Sequence, residues 1–268
     1  MNSMSVLLVQ KVSSTVSKKK GAARGGLQAA GAWAREVLLV VIAALVASTL
    51  LRVFIVQMFG VPTESMENTI EPSDRIAVQK VAGYARGDVV VFRDSLDWLR
   101  TPPARTGLVH QALVFVGLAP DDSTGYLVKR LVGLPGDHVV CCDAQSRVTV
   151  NGVALNEDYL FTGADGRQDE PSDLAFDVVV PKDHLFFLGD HRSRSQDSRC
   201  HLGQAPPDDP QGSLAFVPQS NVVGTVVAVV YPFSRFTGFA RPATFDRVPA
   251  PTAAAPAAAV IVGERPVC

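Results

Sequence analysis

Ser65 lies in the segment VPTESMENTI, flanked by Thr63 and Glu64. A serine hydroxyl is a weak nucleophile until a base takes its proton, because almost none of it is alkoxide at neutral pH. Taken alone, it reads as a turn or helix-cap hydroxyl. The five histidines, His110, His138, His184, His191 and His201, stand in no recognisable arrangement with a serine such as GxSxG. Lys129 offers another base. It sits inside the apolar stretch GYLVKRLVGL, where strand alternation points one of Lys129 and Arg130 to the core side. Burial disfavours an ammonium ion, and a lysine neutralised in that way can accept the Ser65 proton. Standing alone, the same lysine reads as a strand-edge residue in solvent. The third group is GDHRSRSQDSR, Gly189 to Arg199, directly after the apolar stretch HLFFL. That position argues for a packed polar network, with Asp190, Asp197, Arg192 and Arg199 pairing to hold a hydroxyl in place.

The elements that must position these groups read as strands. DRIAVQK from Asp74, GDVVVF from Gly87, HQALVFVGL from His110, GYLVKRLVGL from Gly125, DHVVCC from Asp137, FDVVV from Phe176, HLFFLG from His184 and NVVGTVVAVVYPF from Asn221 are rich in Val, Ile, Leu and Phe. They are bounded by Gly, Pro and Asp, and no long helical period follows Phe59. In RVTVNGVAL, Asn151 and Gly152 supply the two positive-φ residues of a tight hairpin turn. A mainly β, antiparallel catalytic domain is the expectation.

Ahead of it, Val37 to Leu51 carries no charge and VFIVQMF continues the apolar run after Arg52. A run of roughly 20 such residues crosses a hydrocarbon core of about 30 Å, so one N-terminal transmembrane helix is expected over 37–59. A buried core helix or a cleaved export signal are the alternatives; some 36 residues precede the run, more than an export signal carries. Lys11, Lys18, Lys19, Lys20, Arg24 and Arg35 all precede it, which places the N-terminus in the cytoplasm and the rest outside. The expected organisation is a flexible cytoplasmic tail over 1–36, the helix, a β-rich extracytoplasmic domain over 60–245 and an Ala/Pro-rich disordered tail over 246–268. Within the domain, 141–183 reads as a hairpin-rich insertion and 202–214 as a surface loop.

With 25 basic and 26 acidic residues the chain carries a formal net charge of −1, so no global field points to nucleic acid. Its four cysteines, Cys141, Cys142, Cys200 and Cys268, show no CxxC pair and no zinc-knuckle spacing; neither metal nor cofactor is expected. Adjacent Cys141 and Cys142 would bridge only through a strained ring, either could pair with Cys200, and buried free thiols are the alternative.

In order, VPTESM, DRIAVQK, VKRLVGLPGD and GDHRSRSQDSR resemble the boxes of type I signal peptidases, and GLPGDHVVCCD and GDHRSRSQDSR are similar to actinobacterial members in particular. The resemblance runs from about Val61 to Phe233. It implies a membrane-bound serine endopeptidase that removes signal peptides from exported preproteins after an Ala-x-Ala-like site, with the lipid bilayer as a second partner. By the same resemblance Ser65 is the nucleophile and Lys129 the general base. The Ser65 backbone N–H and the Thr63 hydroxyl form the oxyanion hole, and Ser195 orients the amine. Arg130, Asp190, Arg192, Asp197 and Arg199 match the supporting network, while Val61, Met66, Ile70 and Val128 line the substrate pockets. Asn68 stands where the family generally has Pro, Ser73 where Gly is usual, Cys200 where an aromatic is common, and His191 where many members have Asn. A self-cleaving repressor protease would share the Ser/Lys arrangement, but the apolar run and the lack of a DNA-binding segment speak against it. A catalytically impaired, membrane-tethered binding protein of the same fold is the alternative from a different class.

Overall fold

A computed structural model of the chain describes residues 33–49, 55–99, 107–108, 111, 125–263 and 268. The chain divides into two compact units, Met1–Leu50 and Leu51–Cys268. In the first unit the described residues form one helix over 33–49.

The second unit is built from short antiparallel strands: β1 (Val56–Gly60), β2 (Arg75–Gln79), β3 (Val89–Arg93), β4 (Tyr126–Gly133), β5 (His138–Cys141), β6 (Thr149–Val150), β7 (Val153–Ala154), β8 (Phe176–Val179), β9 (His184–Leu188), β10 (Val217–Pro218), β11 (Val222–Tyr231), β12 (Thr237–Gly238) and β13 (Val260–Ile261). One sheet runs β1-β2-β11-β3-β4-β9-β10, with β12 on β11, and a second runs β13-β8-β5-β6-β7. The stretches read from sequence as strands from Asp74, Gly87, Gly125, Asp137, Phe176, His184 and Asn221 all supply strands. HQALVFVGL falls almost wholly outside the described residues, as does most of the expected tail over 1–36.

Period-2 alternation explains the layering of the first sheet. On β3, Val89 and Val91 enter one apolar cluster with Phe59, Met66, Ile70, Ile76, Val78 and Val128. Val90 and Phe92 enter another with Leu131, Leu185, Phe187 and Trp98. The central strands are thus covered on both sides, which is why they read as continuous apolar runs rather than alternating ones. The second sheet carries its own core, with Val139, Val150, Val178, Phe186 and Phe216 at its centre. Its hairpin turns at Asn151 (φ 51°) and Gly152 (φ 79°), as the Asn-Gly pair requires. Asp137, fully buried just ahead of β5, ties the two sheets together. It accepts from Arg86 Nη2 (2.6 Å), the Leu134 N–H (2.7 Å) and Asn151 Nδ2 (2.8 Å).

Two expectations are corrected here. Among the described residues no helix is long and apolar enough to cross a membrane. This overturns the transmembrane helix expected over 37–59, and with it the membrane-bound function and the single-pass localisation drawn from that helix. The physical reason lies in the second half of the apolar run. Val56–Gly60 is a strand, paired residue for residue with β2, and Phe59 is buried in the core. The apolar character that looked like a need for lipid is satisfied, from Val56 onward, by a sheet. Residues 50–54, between helix and strand, lie outside the described set.

The Ala/Pro-rich segment over 246–268, expected to be disordered, is instead ordered over its described part. Val248 is buried, Lys182 donates its N–H to Pro256 O (2.8 Å), β13 pairs with β8, and Cys268 is disulfide-bonded to Cys200. Cys141 and Cys142 bridge each other. In the expected surface loop over 202–214, residues 206–211 are exposed, while Leu202 and Gly212 are buried.

Candidate active site

Ser65 follows β1 in a turn that belongs to no sheet ladder. The Glu67 N–H donates to Glu64 O (3.0 Å) and the Ile70 N–H to Met66 O (2.7 Å), closing the chain into a compact knot between β1 and β2. Lys129 is held quite differently, in mid-strand on β4, opposite Val90 of β3. Ser65 is 6% exposed and Lys129 2%, and the two side chains meet in a hydrogen bond between Lys129 Nζ and Ser65 Oγ. Burial is the main force on the amine and pulls its pKa down from 10.5 to about 8. Asp197 and Asp190 pull it back up and Arg199 pushes it down, without reversing the result. The site therefore pairs a hydroxyl with an amine that a modest change in pH can discharge.

Strand alternation was expected to bury one of Lys129 and Arg130. Both are buried, because β4 is covered on its two faces, and Arg130 is only 3% exposed. The two basic side chains leave opposite faces, one to the serine and the other to Asp190. Arg130 Nε donates to Asp190 Oδ1 (2.7 Å) and Nη1 to Gly87 O (2.7 Å), and its guanidinium lies 3.9 Å from the centre of the Tyr159 ring. Burial alone would lower the arginine pKa, but the charge and hydrogen bonds of Asp190 outweigh it and raise it.

The remaining network residues gather around the Gly189–Arg199 segment. Arg199 Nε donates to Asp197 Oδ1 and Nη2 to Asp197 Oδ2, each at 2.9 Å, and the Gly189 N–H adds a bond to Asp197 Oδ2 (2.9 Å). Desolvation pushes the Asp197 carboxyl up, yet Arg199, the Gly189 N–H and Lys129 together hold it below the usual carboxylate range. Arg192 has no partner in its own segment's acids; it pairs with Glu157 (Nη1 to Oε2, 3.2 Å) and donates Nε to Gly189 O (2.9 Å). Glu157 escaped the sequence reading. The available signal was charge counting, since Arg130, Arg192 and Arg199 face only Asp190 and Asp197 among the residues singled out. Thr69, whose hydroxyl donates to Asp190 Oδ2 (2.5 Å), was missed as well and carried no signal of its own.

Other expected positions fare unevenly. Thr63 is exposed two residues before Ser65. Ser195 is buried, but its Oγ makes no hydrogen bond, to Lys129 or to any other described group. It packs so close to Gly189 that a Cβ there would overlap both Ser195 Oγ and the Ser65 carbonyl, so glycine is required. Val61, Met66, Ile70 and Val128 are brought together, in one apolar cluster. Met66 and Ile70 are fully buried, which makes them packing residues beneath the Ser65 turn rather than an open pocket wall. Asn68 (φ 74°) and Ser73 (φ 75°) adopt left-handed backbone. At Ser73 that conformation accounts for the glycine the resemblance implies there. At Asn68 it excludes the implied proline, whose ring fixes φ near −65°, so the turn after Ser65 takes a path of its own.

The fold and this pair of groups define a mainly β protein with a buried serine–lysine site. The family described as "Signal peptidase, peptidase S26" matches residues 33–231. The chain is 31% identical over 230 residues to signal peptidase I of Mycobacterium tuberculosis, covering 75% of this chain and 74% of that protein. It is 33% identical to a probable signal peptidase I of Mycobacterium leprae (69% and 72% covered) and 32% identical to signal peptidase I P of Bacillus subtilis subsp. natto (71% and 90% covered). The chain belongs to the S26 signal peptidase family, with mycobacterial relatives among its best matches, and is a serine hydrolase of the signal peptidase I type.

Proposed function

We propose that the protein is an endopeptidase that removes N-terminal signal peptides from exported preproteins, cutting after an Ala-x-Ala-like site with Ser65 as nucleophile and Lys129 as general base. The observation that carries the reading is the buried contact between Lys129 Nζ and Ser65 Oγ, with the amine pKa drawn down to about 8. Ser65 Oγ attacks the scissile carbonyl carbon as its proton passes to the neutral Lys129 amine. The resulting ammonium returns that proton to the leaving amine, which frees the new N-terminus and leaves an acyl-Ser65 ester. A water molecule, deprotonated by the same amine, then releases the signal peptide. The oxyanion of each tetrahedral state is assigned to the Ser65 N–H and the exposed Thr63 hydroxyl, and each such donor is worth about 3 kcal/mol of barrier. Ser195 enters as the hydroxyl that would orient the amine on substrate binding, being buried in the adjoining turn with its Oγ unpaired among the described residues. Asp190, Asp197, Arg130, Arg192 and Arg199 keep the two reacting side chains in register, and Val61 and Val128 are the apolar residues offered to small side chains ahead of the cut.

The test is cleavage of a peptide bearing an Ala-x-Ala site. Ser65→Ala and Lys129→Ala should each abolish product formation while leaving the fold intact. Processing by either variant at the parent rate would remove that residue from the mechanism.

A further inference from the structure

Lys129 is locked into its sheet by the ladders to β3 and β9, whereas no ladder fixes Ser65. Something else must hold the serine turn against the amine. Asn68 and Thr69 tie its far end to Leu160 O and Asp190, and the contacts nearest Ser65 come from His191. Its backbone N–H donates to Ser65 O (3.1 Å). Its ring Nδ1 lies 2.8 Å from Glu67 Oε2 and 3.2 Å from Glu64 O. A carbonyl only accepts, so Nδ1 carries the hydrogen and donates it to Glu64 O, while the Glu67 carboxylate, on the other side of Ser65, lies against the same nitrogen. The ring is 6% exposed and stacks on Phe161 with centroids 3.8 Å apart. Phe161 in turn donates its N–H to Asp190 O (3.1 Å), so the surface behind the ring is itself anchored to the network.

We propose that His191, through its backbone N–H bond to Ser65 O, its Nδ1–H bond to Glu64 O and the Glu67 carboxylate held against the same ring nitrogen, is a positioning residue for the reaction: it clamps the turn on both sides of Ser65 and so fixes Oγ within reach of Lys129 Nζ. The clamp touches neither reacting atom. It rests on the assignment of Ser65 as nucleophile and says in addition what keeps that hydroxyl in place. A displacement of about 1 Å between reacting groups costs on the order of 100-fold in rate, so a clamp of this kind shows itself in turnover more than in substrate affinity.

Two replacements separate the hydrogen bond from mere filling of space. His191→Phe keeps an aromatic ring on Phe161 but removes the donor; kcat should fall about 10- to 100-fold, with KM changed by less than about threefold. His191→Asn places an amide nitrogen where Nδ1 was and should recover kcat to within about threefold of the parent. Glu67→Ala, on a side chain that is partly exposed, should reproduce the loss without disturbing the core, and combining it with His191→Phe should add little, because both delete the same contact between the ring nitrogen and the carboxylate. Thermal unfolding confirms that each variant is folded, and Glu67→Ala decides the matter if His191→Phe is not. Parent-level kcat in Glu67→Ala, or losses that multiply in the double variant, would overturn the clamp. Ser65→Ala is run beside them: if it cleaves as well as the parent, the nucleophile assignment fails, whereas a dead Ser65→Ala with a fully active Glu67→Ala condemns the clamp alone.

Discussion

Replacing Lys129 by methionine should make the protein more stable and inactive at once. The amine is fully buried and its pKa drops from 10.5 to about 8. At about 1.4 kcal/mol for each pH unit, that shift means the folded state holds the charged lysine at a cost of about 3 kcal/mol relative to the unfolded chain. The sign follows from the two pKa values. Below pH 8 the lysine is protonated in both states and the full cost is present. Between pH 8 and 10.5 the unfolded chain binds the proton and the native one does not, so stability rises with pH and the cost disappears. Methionine has a similar length and no charge, and gives up only the bond to Ser65 Oγ, worth about 1 kcal/mol. Lys129→Met is therefore expected to gain about 2 kcal/mol in urea unfolding at pH 7, and to lose most of that advantage by pH 10. A methionine variant less stable than the parent at pH 7, or one whose difference from the parent does not change with pH, would refute the argument that burial sets the lysine's charge.

Three further outcomes are expected. The cleavage rate at low substrate should climb with pH to a plateau above about 8 and fall roughly tenfold for each unit below, since the ammonium cannot accept the Ser65 proton; a level profile from pH 6 to 9 would contradict Lys129 as base. Ser73→Gly should raise stability by about 0.5 to 1 kcal/mol, because φ is 75° and a side chain there is strained; denaturant unfolding that shows a loss would indicate that the serine side chain does more than occupy the turn. Cys268→Ser should cost about 2 to 4 kcal/mol in unfolding under non-reducing conditions, as the bond to Cys200 closes a separation of 68 residues; equal midpoints would mean the tail holds without it.

Sequence made most of the sheet legible and left much of its detail hidden. Val-rich runs bounded by Gly, Pro and Asp marked the strands, because a strand covered on both sides has little choice of residue. The Asn151–Gly152 turn was legible because few other residues accept its backbone. VFIVQMF misled for the complementary reason: apolar composition reports a need to leave water and says nothing of whether lipid or protein supplies the shelter. Lys129 and Arg130 defeated the alternation argument, which presumes one wet face. Thr69 was invisible since a partner 121 residues away leaves no local mark, and Glu157, 35 residues from Arg192, was signalled only by the excess of arginines over the acids singled out. The segment over 246–268 looked unable to fold because Ala and Pro bury little by themselves; what orders it is the edge of β8 and the Cys200 bond, neither of which is written in its own composition.

The links that build the site span long stretches of chain: 64 residues from Ser65 to Lys129, 60 from Arg130 to Asp190, and 121 from Thr69 to Asp190. Distant pairings form late, since each loop must close before its contact repays the lost freedom. A polypeptide growing from its N-terminus thus carries Ser65 and Lys129 well before Gly189–Arg199 arrives to pack against them. The set of contacts around Ser65 and Lys129 is therefore complete only once the chain extends through Arg199.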